Sequence, residues 1–123
     1  MTITKLGQPG AAADRNLETF PVSDNSLEIT LDCQEFTCRC PVTGQPDWAT
    51  IRIDYHPGER VVETKSLKLY LETFREEGIF HEHLATKIRD DMVMALEPIT
   101  LKVTVNFNVR GGISLIASST YPG

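Results

Sequence analysis

The chain has 123 residues, 41% of them hydrophobic and 24% charged, with a formal net charge of -5. That length and composition describe one soluble globular domain able to bury a core of its own. No apolar run is long enough to span a membrane, and the acidic balance argues against general nucleic-acid binding, which needs a basic face to displace counterions.

The start at Met1 lacks a charged head followed by an apolar block, so no secretory leader is expected. Three cysteines, Cys33, Cys38 and Cys40, fall within eight residues. An odd count without an export signal predicts reduced thiols and a cytoplasmic location.

Residues 1–26 read as a weakly ordered N-terminal arm, and 27–123 as the single folded domain. The arm has a turn cluster at 7–10, and only Leu17, Phe20 and Val22 could anchor it. Next, Leu27, Ile29 and Leu31 alternate with Glu28, Thr30 and Asp32, which predicts a half-buried strand. An irregular loop from 33 to 47 is expected to hold all three cysteines, with turn residues at 43–47. A second strand follows at 48–55, with Ala49, Ile51, Ile53 and Tyr55 on one face.

Helical spacing then begins. Leu67, Tyr70, Leu71 and Phe74 form one apolar stripe, and Gly78 is the expected stop. Glu76 and Glu77 would lie in its last turn and oppose the helix dipole. A second helix is expected at 80–96, striped by Leu84, Ile88, Met92 and Ala95 and ended by Pro98. Ile99, Leu101, Val103, Val105 and Phe107 make a strand with one polar face. Arg110-Gly111-Gly112 turns the chain into a last strand carrying Ile113, Leu115 and Ala117. The order is ββααββ: an α+β fold in which two helices cover one face of an antiparallel sheet. Its open edges predict pairing with further copies.

Three groups of residues carry chemistry. Cys40 and Asp47 flank a loop punctuated by proline and glycine, which can fold the carboxyl back towards the sulfur. A thiolate and a carboxyl so placed make a nucleophile–acid pair, with Arg39 available to stabilise the thiolate. The same spacing suits a buried structural cysteine beside a turn-capping aspartate, and spacing alone favours that reading. Lys65 and Lys68, at the expected start of the first helix, could hold phosphates together with the helix amides, and Arg110 could add a third cation. A solvated face would look the same. Glu82, after Phe80 and His81, suits the dipole of the second helix and could also accept hydrogen bonds from a guanine-like ring. The spacing of Cys33, Cys38, Cys40 and the histidines matches no common zinc site, so no metal is expected.

These segments together resemble the NADPH-dependent nitrile reductases that convert 7-cyano-7-deazaguanine to 7-aminomethyl-7-deazaguanine in tRNA queuosine biosynthesis. The resemblance lies in Glu-Phe-Thr-Cys-Arg-Cys-Pro-Val-Thr-Gly-Gln-Pro-Asp at 35–47, Glu-Thr-Lys-Ser-Leu-Lys-Leu-Tyr at 63–70, Phe-His-Glu at 80–82 and Arg-Gly-Gly-Ile-Ser at 110–114. It covers about residues 17–116, in the family's order. It implies the tunnelling fold, whose ββααββ sheets join into a barrel by oligomerisation. It also implies the short, unimodular branch, a decamer of two stacked pentamers with sites between subunits.

The resemblance further implies roles. Cys40 would form a covalent thioimide, Asp47 would give a proton to the nitrogen, and His81 would assist. Val62, Glu63, Thr64, His81 and Glu82 would hold the deazaguanine. Lys65, Lys68 and Arg110 would hold NADPH. Thr64 replaces the family's more usual serine and keeps its hydroxyl. Cys38 lies outside the shared motif, either as a spectator thiol or as a disulfide partner of Cys40. The rival within the fold is an amidinotransferase that acts on cyano-deazaguanine already in tRNA. That branch lacks the motif at 63–70. A zinc cyclohydrolase and a non-catalytic purine-binding ring are more distant alternatives.

Overall fold

The computed structural model describes residues 3–8, 10–24 and 26–123. The turn expected at 7–10 includes Pro9, which lies outside the described residues, as do Met1 and Thr2 at the start of the expected arm. In chain order the elements are β1 (Thr19–Pro21), β2 (Ile29–Arg39), β3 (Pro46–His56), β4 (Arg60–Val62), α1 (Thr64–Glu72), α2 (His81–Leu96), β5 (Thr100–Arg110) and β6 (Ile113–Tyr121). The main sheet has the order β2-β3-β5-β6, and β1 pairs with β4 in a small second sheet. All these pairings are antiparallel.

Alternation sets the two faces of the sheet. Ile51, Ile53, Val103 and Val105 are fully buried and pair across β3 and β5 as Ile51↔Val105 and Ile53↔Val103. Burying each such side chain contributes about 1.5–3 kcal/mol. The helices cover this face, α1 beside β2 and α2 across β5 and β6. Leu67, Tyr70 and Leu71 on α1, and Leu84, Ile88, Met92 and Leu96 on α2, complete the core. The opposite face is polar: Thr30 donates to Asp54 at 2.7 Å, and Arg52 donates to the same carboxylate at 2.9 Å.

Several elements differ from the sequence reading. The cysteine segment is mostly strand, because β2 runs to Arg39 and only Cys40 falls in a loop. A register shift between Cys33 and Phe36 lets it continue. This β-bulge switches the inward parity from odd to even residues, so Phe36 and Cys38 are buried where plain alternation would expose them. α1 ends at Glu72, so Phe74, Glu76 and Glu77 lie beyond it. Phe74 is still fully buried, edge-on to Tyr70 with ring centroids 5.4 Å apart. Glu76 and Glu77 pair with Arg39 and Arg15 rather than opposing a helix dipole. Ile99 is exposed, and Leu96 rather than Ala95 completes the α2 stripe.

The arm also makes contacts that hydrophobic periodicity does not reveal. The Glu18 carboxylate accepts from the Thr4 and Lys5 amides and from the Thr4 hydroxyl. The backbone amide of Glu63 donates to the Glu18 carbonyl at 2.8 Å. Leu17 and Val22 pack against the core, whereas Phe20 is exposed.

Candidate active site

Cys40 leaves β2 into a tight loop closed by two hydrogen bonds. Its amide donates to the Gln45 carbonyl at 2.8 Å, and the Gly44 amide donates back to the Cys40 carbonyl at 2.9 Å. Gly44 takes φ 74°, a conformation that glycine adopts without strain. A hydrogen bond from the Thr43 hydroxyl, then the Thr43 and Val42 amides, hold the Cys40 thiol below its ordinary pKa, and the positive charge of Arg110 adds to this. Burial acts the other way on Cys33 and Cys38. Cys38 is 0% exposed, and burial, followed by the nearby Asp47 charge, pushes its thiol up to about 12. Arg39, expected beside the thiolate, donates instead to Glu76 and to the Gly44 carbonyl at 2.9 Å.

The segment after α1 supports the start of this loop. The Arg39 amide donates to the Glu77 carbonyl at 2.8 Å, and the Ile79 amide donates to the Arg39 carbonyl at 3.1 Å. Between them, Gly78 lies so close to the loop that a Cβ there would meet the Pro41 Cα at 3.0 Å. Gly78 is therefore small for packing against the cysteine loop rather than for stopping a helix.

Asp47 sits on β3 opposite Cys38 and faces the core, with its side chain 1% exposed. A buried carboxylate needs partners on its oxygens. Oδ2 lies 3.2 Å from His81 Nε2, and Oδ1 accepts from Arg110 Nη1. His81 opens α2 and stacks on Phe107, with centroids 3.4 Å apart and planes 8° from parallel. Arg110 also donates from Nη2 to Gln45 Oε1 at 2.9 Å. Glu82, next to His81, is exposed in the first turn of α2. Cys40, Asp47, His81 and Arg110 thus gather at one end of the sheet, with Glu82 beside them.

The second predicted group lies elsewhere in the chain. The Glu63 carboxylate caps α1, accepting from the Lys65 amide at 2.6 Å and the Ser66 amide at 2.9 Å. Those amides are therefore committed to Glu63 and not open to a phosphate. The Val62 amide donates to the Tyr55 hydroxyl at 3.1 Å. Tyr55 stands eight residues along β3 from Asp47, about 26 Å at the usual strand rise. Val62, Glu63, Thr64 and Lys65 therefore lie at the end of β3 away from Cys40. Arg110, expected with the cofactor lysines, stands instead at the Cys40 end on Asp47.

A cleft of about 520 Å³ opens between β2 and α1, with Thr64, Lys68 and Arg75 offering polar groups and Phe36, Leu67 and Leu71 an apolar wall. Asp32, Glu35 and Glu72 line the same cleft, so its two cations stand among three carboxylates, and Lys65 is next to this group in sequence. Among the described residues, no cluster of three or more His, Cys, Asp or Glu side chains could hold a metal ion. No helix among them is long and apolar enough to cross a membrane.

The motifs did not single out Gln45, Thr43 or Phe107 as site residues. Gln45 and Thr43 read as turn residues and Phe107 as core, and only the folded loop and sheet give them partners.

The profile of the family described as QueF-like protein matches residues 46–122. The chain belongs to that family. A curated relative from Frankia casuarinae is 77% identical over 121 residues, covering 98% of this chain and 97% of its own length. Relatives from an Anaeromyxobacter species and from Syntrophus aciditrophicus are 53% and 50% identical, covering 87% and 97% of this chain and 89% and 86% of their own lengths. All three carry the name NADPH-dependent 7-cyano-7-deazaguanine reductase. A crystal structure of the archaeosine synthase QueF-Like in the apo form superposes with a TM-score of 0.75 at 22% identity, over 83% of this chain and 98% of that one. At that identity the likeness is one of fold. It agrees with the α+β architecture read for this QueF-like chain.

Proposed function

We propose that this chain is an NADPH-dependent 7-cyano-7-deazaguanine reductase, an oxidoreductase that converts the nitrile to the aminomethyl base. The observation that carries the reading is the buried Asp47, held on both oxygens by His81 and Arg110, with Arg110 reaching on to Gln45 of the Cys40 loop. Near-full-length relatives of this name support it, whereas the archaeosine synthase shares the fold at low identity.

The Cys40 sulfur adds to the nitrile carbon. The S–C bond forms, one C–N π pair moves to nitrogen, and a covalent thioimide results. Asp47 gives that nitrogen its proton and His81 supports the transfer. Glu82 accepts from the amino and ring N–H groups of the base, with His81 beside it. Val62, Glu63 and Thr64 complete the base contacts. Lys65 and Lys68 hold the phosphates of NADPH, which supplies hydride when bound.

The α1 end and the Cys40 end serve one substrate only if they come from different copies. The working form is therefore a homo-oligomer, with the open edges of β2 and β6 joined into a barrel. A decamer of two stacked pentamers is the assembly we infer. We place it in the cytoplasm, where the thiol stays reduced.

The test is purified protein with NADPH and 7-cyano-7-deazaguanine. Two NADPH oxidised per aminomethyl product is the expected result. The Cys40→Ala protein should show neither turnover nor a covalent adduct while still binding the base by calorimetry. Unchanged turnover in Cys40→Ala would sink the covalent reading.

A further inference from the structure

Arg110 makes contacts that a cofactor role does not explain. Its guanidinium spans two side chains, Asp47 through Nη1 and Gln45 through Nη2 at 2.9 Å. Gln45 is the residue whose carbonyl closes the loop on the Cys40 amide at 2.8 Å. One planar fork thus ties the proton donor to the loop that carries the nucleophile. The Asp47 side chain is 1% exposed and that of Arg110 is 44% exposed. The bridge therefore reaches inward from the β5–β6 hairpin to a carboxylate otherwise shut off from solvent.

The backbone is shaped for this contact. Leu101, Val103, Val105 and Phe107 point into the core, so strict alternation would send Arg110 to the opposite face from Asp47. The β5–β6 ladder shifts register between Phe107 and Arg110, and Gly111 and Gly112 take φ of 57° and 79° in the turn that follows. A shift of this kind re-aims a side chain. Here it lets Arg110 meet a residue on the inner face.

We propose that Arg110 is a positioning residue for nitrile addition, fixing the Cys40 loop against Asp47 through its two-armed bridge. The proposal rests on the reductase reading for the identity of the electrophile. In the addition itself, the sulfur–carbon bond forms and the thiol proton ends on nitrogen by way of Asp47, so no cofactor takes part. The positive charge beside the loop also favours the thiolate. A lysine at 110 would keep the charge but lose the fork, since an ammonium is a point donor.

Addition can therefore be measured without NADPH. Wild type, Arg110→Ala, Arg110→Lys and Gln45→Ala would be mixed with 7-cyano-7-deazaguanine alone and followed by intact mass. In parallel, iodoacetamide alkylation of Cys40 would be followed against pH. For Arg110→Ala, adduct formation should slow about a hundredfold, as misplaced reacting groups do. Its alkylation midpoint should also move to higher pH. Arg110→Lys should restore the alkylation midpoint but not the adduct rate, and Gln45→Ala should slow the adduct with its midpoint unmoved.

Unchanged adduct rates in Arg110→Ala, with only the NADPH KM raised, would overturn the proposal and leave Arg110 as a phosphate contact. Full rescue of the adduct rate by lysine would overturn the bridge. If wild type forms no adduct but the alkylation midpoint still moves in Arg110→Ala and recovers in Arg110→Lys, the reductase reading has failed and the link from Arg110 to the Cys40 loop stands. No adduct and no movement of the midpoint would overturn both.

Discussion

Cys38 and Cys40 stand two residues apart, and their surroundings drive them in opposite directions. Thr43 and two amides lower Cys40, while burial and the Asp47 charge raise Cys38 to about 12 from an ordinary 9.0. Cys38 therefore keeps its proton at working pH. Its effect on stability has a definite sign. Between the ordinary thiol value and about 12, the unfolded chain loses this proton and the folded chain keeps it. Stability must then fall as pH rises through that window. Urea midpoints at neutral and alkaline pH should fall more steeply for wild type than for Cys38→Ala. Equal slopes would show that the Cys38 thiol is not confined as described. At this scale the sequence singles out Cys40 and Asp47 as candidates through their motif. It could not disclose that His81 and Arg110 converge on Asp47, because 34 and 63 residues of chain separate the partners.

Among the elements, Cys40, the proposed nucleophile, is placed by irregularities rather than by regular structure. The bulge in β2 buries Cys38 and delivers Cys40 to the loop, and Gly78 lets the chain after α1 pass against Pro41. Gly78→Ala tests the second device. A methyl group 3.0 Å from the Pro41 Cα must push the loop, because the neighbour is backbone and cannot rotate away. The expected outcome is a kcat lowered by about tenfold or more with the NADPH KM unchanged, since a small displacement of a reacting group is costly. Unaltered kinetics in the folded variant would mean that the loop tolerates the shift. These devices also explain which elements were legible. β3, α2 and β5 have clear apolar periods, so their existence and most of their buried faces could be read directly, Ile99 and the last turn of α2 excepted. The cysteine segment hid its strand because the bulge breaks the alternation by which strands are recognised. The first helix seemed too long because Phe74 continues the apolar stripe after the hydrogen-bonded helix has stopped.

At the scale of the whole molecule, one chain holds the two proposed groups of site residues far apart. The Glu63 end of α1 and the Cys40 end of the sheet are separated by most of the length of β3, about 26 Å between Asp47 and Tyr55. The main sheet has β2 and β6 as its outer strands, and Ile113 and Ile116 on β6 are exposed apolar residues. Both features are met if β6 of one copy pairs with β2 of the next, bringing one copy's α1 towards its neighbour's nucleophile. Mixed oligomers would decide the matter. Cys40→Ala chains lack the nucleophile, and Lys65→Ala/Lys68→Ala chains lack the cofactor cations, so each is expected to be inactive alone. If a site draws the two sets from different copies, dissociating and reassembling an equal mixture should restore about a quarter of wild-type activity, because one neighbour pairing in four combines two intact halves. If each site lies within one chain, every chain in the mixture carries a defect and no activity returns. Sedimentation of the reassembled sample must show the wild-type oligomer, which separates a failure to assemble from a site confined to one chain.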